Sequence, residues 1–233
     1  MLRSSLVPVD INYTCNPHGI FKNLVIPPQH TDSLADMPEL PNIHIRDAEF
    51  PADKQVVGQL FRAYAESLPI SLDFQNFDYE LAELPGKYAI EKGGAVWLLV
   101  SSAGDGESHE STAGFSTTRE NERAIGCVAI RPFFATPTTA ESAALLAQST
   151  SPSTKTCELK RLFLAPETRG TRLSKPLMEI ALSHAKKLGY EEMLLDTLRS
   201  MKTARKLYEG YGFEEIDSYY ENPEDAVFYR LKL

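Results

Sequence analysis

Hydrophobic and polar positions follow a regular order only from about residue 43 onward. Residues 1–42 are rich in proline and show no sustained period, which predicts an extended N-terminal arm rather than a domain. Ile43 and Ile45 then alternate with polar neighbours, as in a strand. A helix is predicted at 56–68, where apolar residues recur every three to four positions.

The rest of the chain alternates predicted strands with predicted helices, which indicates a mixed α/β sheet in one domain of residues 43–233. Ser200 precedes the last helix as its expected N-cap. The further predicted helices are 74–84, 173–190 and 200–211, and the further predicted strands are 95–100, 124–130, 157–165, 191–198, 213–220 and 226–233.

Two polar inserts interrupt this pattern, at about residues 101–122 and 134–156. Both are dominated by small and polar residues, which predicts loops that carry no catalytic chemistry. The domain is therefore expected to hold its functional residues outside these two segments.

Composition limits the kinds of ligand that the chain can bind. The net charge is −8 and the pI is about 5.2, which argues against nucleic acid or an anionic membrane as the main partner. No run approaches the roughly 18 apolar residues that a membrane-spanning helix requires. An anionic ligand must therefore be bound by a local cluster of positive groups.

The three cysteines, Cys15, Cys127 and Cys157, lie far apart and match no zinc-binding spacing. Their small, odd number predicts a reducing compartment and no metal site. The first residues lack the apolar core of a secretory signal, so a cytoplasmic location is expected.

The segment FLAPETRGTRLSKPL, residues 163–177, is predicted to form a strand, a tight turn and the start of a helix. A helix N-terminus presents unpaired N–H groups and a partial positive charge, which together bind anions. Arg169, Arg172 and Lys175 add three cations within seven residues. These residues alone leave two alternatives open, a phosphate site and a solvated basic helix start.

The order of elements from Cys157 to Phe213 resembles the GNAT family of N-acetyltransferases, and the looser similarity covers about residues 43–233. It rests on RLFLAPETRGTRLSKPLMEIALSHAKKLGY, then MLLDT, then ARKLYEGYGF. The resemblance implies a mixed, mostly antiparallel central sheet of about six to seven strands, flanked by about four helices and splayed between its two central strands. It also implies acetyl-CoA as the acetyl donor.

The family turn has the pattern Q/R-x-x-G-x-G/A, whose main-chain amides bind the pyrophosphate of coenzyme A. The matching positions here are Arg169, Gly170, Thr171, Arg172, Leu173 and Ser174. Arg172 stands at the first patterned glycine and Ser174 at the final Gly/Ala, so this chain departs from the pattern twice. The amides can still face the anion if Arg172 adopts a helical conformation, and its side chain can then pair with phosphate.

The resemblance assigns further contacts with the donor. The backbone of Leu162, Phe163 and Leu164 would pair with the pantetheine arm. Ser200 and Arg205 would approach the cofactor from the last helix, although Met201 stands where many members have an asparagine.

Two residues match catalytic positions of the family. Tyr208 would protonate the departing thiolate, because a phenol has a suitable pKa, although packing is the alternative for a tyrosine on an amphipathic helix. Glu158 would accept the amine proton, directly or through water, and the alternative is a solvated strand residue.

The acceptor site is expected to involve Phe77, Arg131 and Lys160. Strand alternation would send Lys160 and Arg161 to opposite faces, so at most one of them would join Glu158. A cation that holds an acceptor carboxylate favours an amino acid or similar zwitterion. Surface solubility is the alternative for the cations, and core packing is the alternative for Phe77.

Together these features predict an acetyl-CoA-dependent N-acetyltransferase that acts on the primary amine of a small molecule, by direct attack in a ternary complex. One alternative is a protein or peptide acceptor. Another is a noncatalytic acyl-CoA-binding or interaction module on the same fold. The resemblance also allows a homodimer.

Overall fold

The computed structural model describes residues 42–102, 114–134, 155–220 and 225–233. Nearly all of the predicted N-terminal arm, half of the first polar insert (103–113) and most of the second (135–154) lie outside these residues, so the predicted domain boundaries stay predictions. In the described part of the chain, no helix is long and apolar enough to cross a membrane.

The described residues form eight strands and four helices. The strands are β1 (Asn42–Asp47), β2 (Ala95–Ser102), β3 (Phe115–Ser116), β4 (Glu122–Pro132), β5 (Thr156–Leu164), β6 (Glu192–Leu198), β7 (Glu214–Ile216) and β8 (Ala226–Lys232). The helices are α1 (Lys54–Glu66), α2 (Phe77–Ala82), α3 (Ser174–Lys187) and α4 (Lys202–Gly210).

Two local predictions were wrong. The strand predicted over 213–220 ends at Ile216, because residues 217–220 leave the sheet and carry two tyrosines toward its central strands. Ser200 is not the N-cap of α4, since Met201 occupies that position and no side chain caps the helix.

The sheet confirms the predicted mixed, mostly antiparallel architecture. Its strand order is β1-β2-β4-β5-β6-β8-β7, with β3 paired to β4. Only β5 and β6 are parallel among the described pairs, and they pair at three positions, from Thr156 with Glu192 to Glu158 with Leu194. The two strands continue beyond that point without pairing, which confirms the predicted splay between the central strands.

Helices cover both faces of the sheet, which explains why β2 and β4 are apolar at nearly every position. On one face, Trp97 and Leu99 of β2 pack in a core with α3 and α4. On the other face, Leu98 of β2 packs in a core with Leu60 and Phe61 of α1. We call these the α3 face and the α1 face.

A β-bulge interrupts the pairing of β4 with β5. The register shifts between Cys127 and Ala129, where β5 carries one extra residue. Arg161 lies in the bulge with a φ of 57°, in the left-handed region that few residues other than glycine adopt. The Cys127 thiol donates to the Arg161 carbonyl at 3.3 Å, so that this carbonyl has a partner.

The bulge overturns the prediction that Lys160 and Arg161 point to opposite faces. Leu159 packs in the core of the α3 face, so Lys160 points to the α1 face. Arg161 faces the same way, because its guanidinium lies 5.1 Å from the Phe77 ring centroid and pairs with Glu80. The extra residue shifts the alternation, which brings two neighbouring cations to one face.

Arg46 of β1 is buried between two carboxylates. It donates to Asp53 Oδ2 at 2.6 Å and to Glu122 Oε1 at 2.7 Å. Asp53 immediately precedes α1 and Glu122 begins β4, so the cluster joins three elements. Burial alone would raise the pKa of Asp53, but hydrogen bonds from Arg46 and from the Glu49 amide outweigh that effect and lower it.

Replacing Arg46 with methionine should lower the free energy of unfolding at pH 7 by about 3–5 kcal/mol, because two buried carboxylates lose their cation. Urea denaturation measures the change. The control Arg199→Met removes a half-exposed arginine that pairs with Asp225, and should cost about 0–1 kcal/mol.

The difference in free energy of unfolding between wild type and Arg46→Met should depend on pH. The lowered pKa of Asp53 stabilises the fold above its unfolded pKa of about 3.9, and this contribution is lost as pH falls through the folded pKa. The difference should therefore narrow below about pH 4. Equal stability of the two proteins at pH 7 would contradict the assignment.

Candidate active site

The separation of β5 from β6 opens a cleft of about 870 Å³, which we call the interstrand cleft. Its walls are formed by the second half of β5, the end of β6, the start of α4 and the turn before α3. Leu162, Phe163 and Leu164 line it, as the predicted pantetheine contact requires. Beyond Glu158 these β5 residues do not pair with β6, so their backbone groups on that side are available to a ligand.

The turn before α3 contains two residues with left-handed backbone, Gly170 with a φ of 82° and Arg172 with a φ of 64°. The condition that Arg172 adopts a helical conformation is therefore not met, and helical backbone begins at Leu173. A left-handed residue before right-handed ones turns successive N–H groups toward one point, which forms an anion-binding nest. The same requirement explains why glycine suits this position, and the left-handed conformation costs arginine about 1–2 kcal/mol.

The six predicted turn residues are placed in two groups. Arg169, Gly170 and Ser174 line the interstrand cleft. Thr171 and Arg172 are exposed beside it, and Leu173 is buried in the core of the α3 face. No side chain caps the N-terminus of α3, and the Lys175 N–H donates to the Arg172 carbonyl at 3.1 Å, so the helix end can offer a ligand its other unpaired N–H groups.

Helix α4 contributes more positive charge than the sequence predicted. Lys202 and Lys206 both line the cleft, because residues four apart lie on one side of a helix. Ser200 lines the cleft as predicted. The structure does not place Arg205 with them, since it donates to the Tyr229 hydroxyl at 2.9 Å and pairs with Glu215.

Tyr208 borders the same cleft and is 7 % exposed. Its ring packs against Phe213 and Tyr229, with the Phe213 centroid 6.0 Å away. Burial raises the pKa of the phenol, and the nearby Tyr64 and Asp196 raise it further. Tyr208 therefore stays protonated and can act as an acid.

Three carboxylates on the α1 face, one buried and two partly buried, share one pattern, in which each accepts hydrogen bonds from one cation and one tyrosine. Glu80 accepts from Arg161 at 2.8 and 2.9 Å and from Tyr88 at 3.0 Å. Glu158 accepts from Arg131 at 2.8 Å and from Tyr219 at 3.2 Å. Asp196 accepts from Lys160 at 2.8 Å and from Tyr220 at 2.9 Å.

A second cleft, of about 830 Å³, opens over these groups, and we call it the α2 cleft. Glu80, Arg131 and Glu158 line it. Lys160 lines both the α2 cleft and the interstrand cleft, so the two meet at this side chain. A ligand that enters through one cleft can therefore approach a ligand that is bound in the other cleft.

Glu158 and Arg131 are held by each other. Glu158 is 4 % exposed, and its Oε2 accepts from Arg131 while its Oε1 accepts from Tyr219. Arginine does not lose its proton in proteins, so Glu158 faces a permanent positive charge. Phe77 lines neither cleft along the described residues and packs in the core beneath Arg161.

Sequence reasoning missed Asp196, Glu80 and the tyrosines that complete the pattern. Asp196 carried a usable signal, because it is a charged residue inside the apolar strand MLLDTL. Glu80 carried none, since a glutamate on a short amphipathic helix is most often solvated. Lys202 and Lys206 could have been recognised from their spacing on the helix that carries Tyr208.

Comparisons with known proteins agree with this geometry. A family model described as an acetyltransferase (GNAT) domain matches residues 139–224. An uncharacterised N-acetyltransferase of Schizosaccharomyces pombe is 31% identical over 193 residues, which cover 82% of this chain and 96% of that protein.

Solved structures share the fold. A GNAT-family acetyltransferase from Staphylococcus aureus has a TM-score of 0.55 and 16% identity, covering 82% of this chain and 98% of that one. A putative acetyltransferase from Salmonella typhimurium, solved with its cofactor acetyl-CoA, has a TM-score of 0.51 and 14% identity, covering 82% and 93%. The chain therefore belongs to the GNAT family of acetyltransferases, whose acetyl donor is acetyl-CoA.

Proposed function

We propose that this acetyltransferase moves the acetyl group of acetyl-CoA to the primary amine of a small molecule, by direct attack within a ternary complex. The observation that carries the proposal is the meeting of two clefts at Lys160, one with a cationic lining beside Tyr208 and one with internally paired charges. The first suits the donor and the second suits the acceptor.

The interstrand cleft fits coenzyme A along its length. Acetyl-CoA supplies a reactive thioester together with anionic phosphates. The nest at Arg172 and the N-terminus of α3 offer N–H groups to a pyrophosphate, and Arg169, Lys202 and Lys206 surround the cleft with positive charge. The structure from Salmonella typhimurium contains acetyl-CoA in a related fold, which supports acetyl-CoA as the ligand of such a fold.

Tyr208 is proposed as the acid that protonates the departing thiolate. It borders the interstrand cleft, and its raised pKa means that the phenol carries the proton that it would donate. Ser200 lines the same cleft and is proposed as a polar contact for the donor.

Direct attack by the amine is favoured over an acyl-enzyme. Cys127 and Cys157 are fully buried, and burial raises the pKa of both thiols, that of Cys157 to about 12. Neither lines either cleft. Cys15 lies outside the described residues, so no described cysteine is placed as a nucleophile.

The α2 cleft is the proposed acceptor site. Its volume of about 830 Å³ lies within the range of roughly 300–1,000 Å³ that is usual for small-molecule sites. Arg131, Glu158 and Lys160 line it, but each is already paired within the protein, so none is a free clamp for an acceptor carboxylate. We propose that Glu158 holds Arg131 in place and assists proton removal only through water.

The function is tested by supplying acetyl-CoA with free amino acids, alkylamines, polyamines, and peptides that carry a free N-terminus or lysine. Release of coenzyme A is followed with a thiol-reactive dye. We expect free amines to be acetylated with a kcat/KM at least about tenfold above that of the peptides. Faster turnover of peptides would favour a protein acceptor, and no turnover of any amine would favour a noncatalytic module.

Replacing Tyr208 with phenylalanine should lower kcat by about 10²–10⁴-fold, because the acid is lost while the ring packing remains. The dissociation constant for acetyl-CoA should change by less than about threefold. Stopped-flow rates and calorimetric titration measure the two quantities.

The matched control is Tyr190→Phe. It removes a hydroxyl that donates to the Gly93 carbonyl at 2.8 Å and that lies outside both clefts. Its kcat should equal that of wild type. The acid assignment fails if Tyr208→Phe turns over as fast as this control.

A further inference from the structure

Asp196 lies where the two central strands have just separated. It is two residues beyond Leu194, the last residue of β6 that pairs with β5. Its side chain is 13 % exposed, and its two oxygens accept one hydrogen bond each, from Lys160 and from Tyr220. A carboxylate has about four acceptor positions, so Asp196 can accept a further donor.

Asp196 is the only carboxylate that lines the interstrand cleft along the described residues. Glu80 and Glu158 line the α2 cleft instead. Tyr208, the proposed acid, lines the interstrand cleft with Asp196. An amine bound by Asp196 would therefore be closer to the thioester end of the cleft than an amine bound by either glutamate.

The cation that pairs with Asp196 also differs from the cations that pair with Glu80 and Glu158. Glu80 and Glu158 are each held by an arginine guanidinium through two N–H donors. Lys160 holds Asp196 through a single ammonium contact at 2.8 Å. An ammonium is a compact charge, without the fixed planar geometry of a guanidinium. A second ammonium can therefore share the Asp196 carboxylate with Lys160, or replace Lys160 there, more easily than it can displace an arginine from a glutamate.

We propose that Asp196 binds the protonated amine of the acceptor, and that Lys160 competes with the acceptor for this carboxylate. This inference rests on the proposed function and specifies its substrate class, a primary alkylammonium that reaches Lys160 from the α2 cleft. Lys160 then opposes a cationic acceptor rather than holding an acceptor carboxylate. Tyr220 positions Asp196, because its hydroxyl holds Oδ2 while Oδ1 faces the competing ammoniums.

The test is a titration of n-propylammonium into the complex with coenzyme A, followed by saturation-transfer NMR. The variants are Lys160→Met and the double variant Lys160→Met with Asp196→Asn. The double variant removes both charges together, so that no unpaired charge stays buried. Urea denaturation confirms that each protein is folded.

Lys160→Met should bind propylammonium at least about threefold more tightly than wild type, because the competing charge is gone. The double variant should bind at least about tenfold more weakly than Lys160→Met, because a charge-assisted hydrogen bond is lost. The control Lys155→Met with Glu191→Gln removes an exposed lysine–carboxylate pair outside both clefts and should bind as wild type does.

Three results would overturn the proposal: weaker binding by Lys160→Met, binding by the double variant equal to that of Lys160→Met, or absence of binding to wild type. The titration measures binding of propylammonium and does not depend on catalytic turnover. A failure of the proposed function would instead appear as the absence of coenzyme A release with every amine.

Discussion

The parallel pairing of β5 with β6 stops after three residue pairs, and the site depends on that interruption. The bulge at Arg161 follows the last paired position of β5 by three residues, and a bulge bends the strand that carries it. Separation of the strands leaves backbone groups of β5 free for a ligand and exposes Tyr208 and Asp196 to the cleft. The shifted alternation also places Lys160 and Arg161 on the same face, the α1 face.

Charge is arranged differently in the two clefts, and the difference divides their roles. Buried cations and carboxylates on the α1 face balance each other, which limits the cost of removing them from water. The interstrand cleft instead carries Arg169 and two lysines of α4 opposite a single described carboxylate. Under the proposed function, the second arrangement would attract an anionic donor, whereas the first would select an acceptor by its shape and its ammonium group.

Local patterns in the sequence predicted much of the fold, because both faces of the sheet are covered and the central strands β2 and β4 contain continuous apolar runs. The turn before α3 and the helical position of Tyr208 could also be predicted from the sequence, because each lies in a short motif. The bulge was not, because nothing in LKRLF marks Arg161 as a left-handed residue, and one extra residue reverses the alternation after it. Asp196 was missed because its role depends on Lys160 and Tyr220, which the fold brings to it from other strands and loops.

We propose that backbone N–H groups of the turn bind the donor, with Arg172 in a conformation that glycine adopts freely. Calorimetric titration with acetyl-CoA, on wild type and Arg172→Gly, distinguishes binding by the backbone from binding by the side chain. We expect wild type to bind acetyl-CoA with a micromolar dissociation constant, which corresponds to a binding free energy of about −8 kcal/mol. The dissociation constant of Arg172→Gly should lie within about threefold of that value. The free energy of unfolding of this variant should rise by about 0.5–1 kcal/mol, because glycine adopts the left-handed conformation without strain. No binding to wild type would contradict the account, and loss of binding in Arg172→Gly would show that the arginine side chain, rather than the backbone, holds the phosphate.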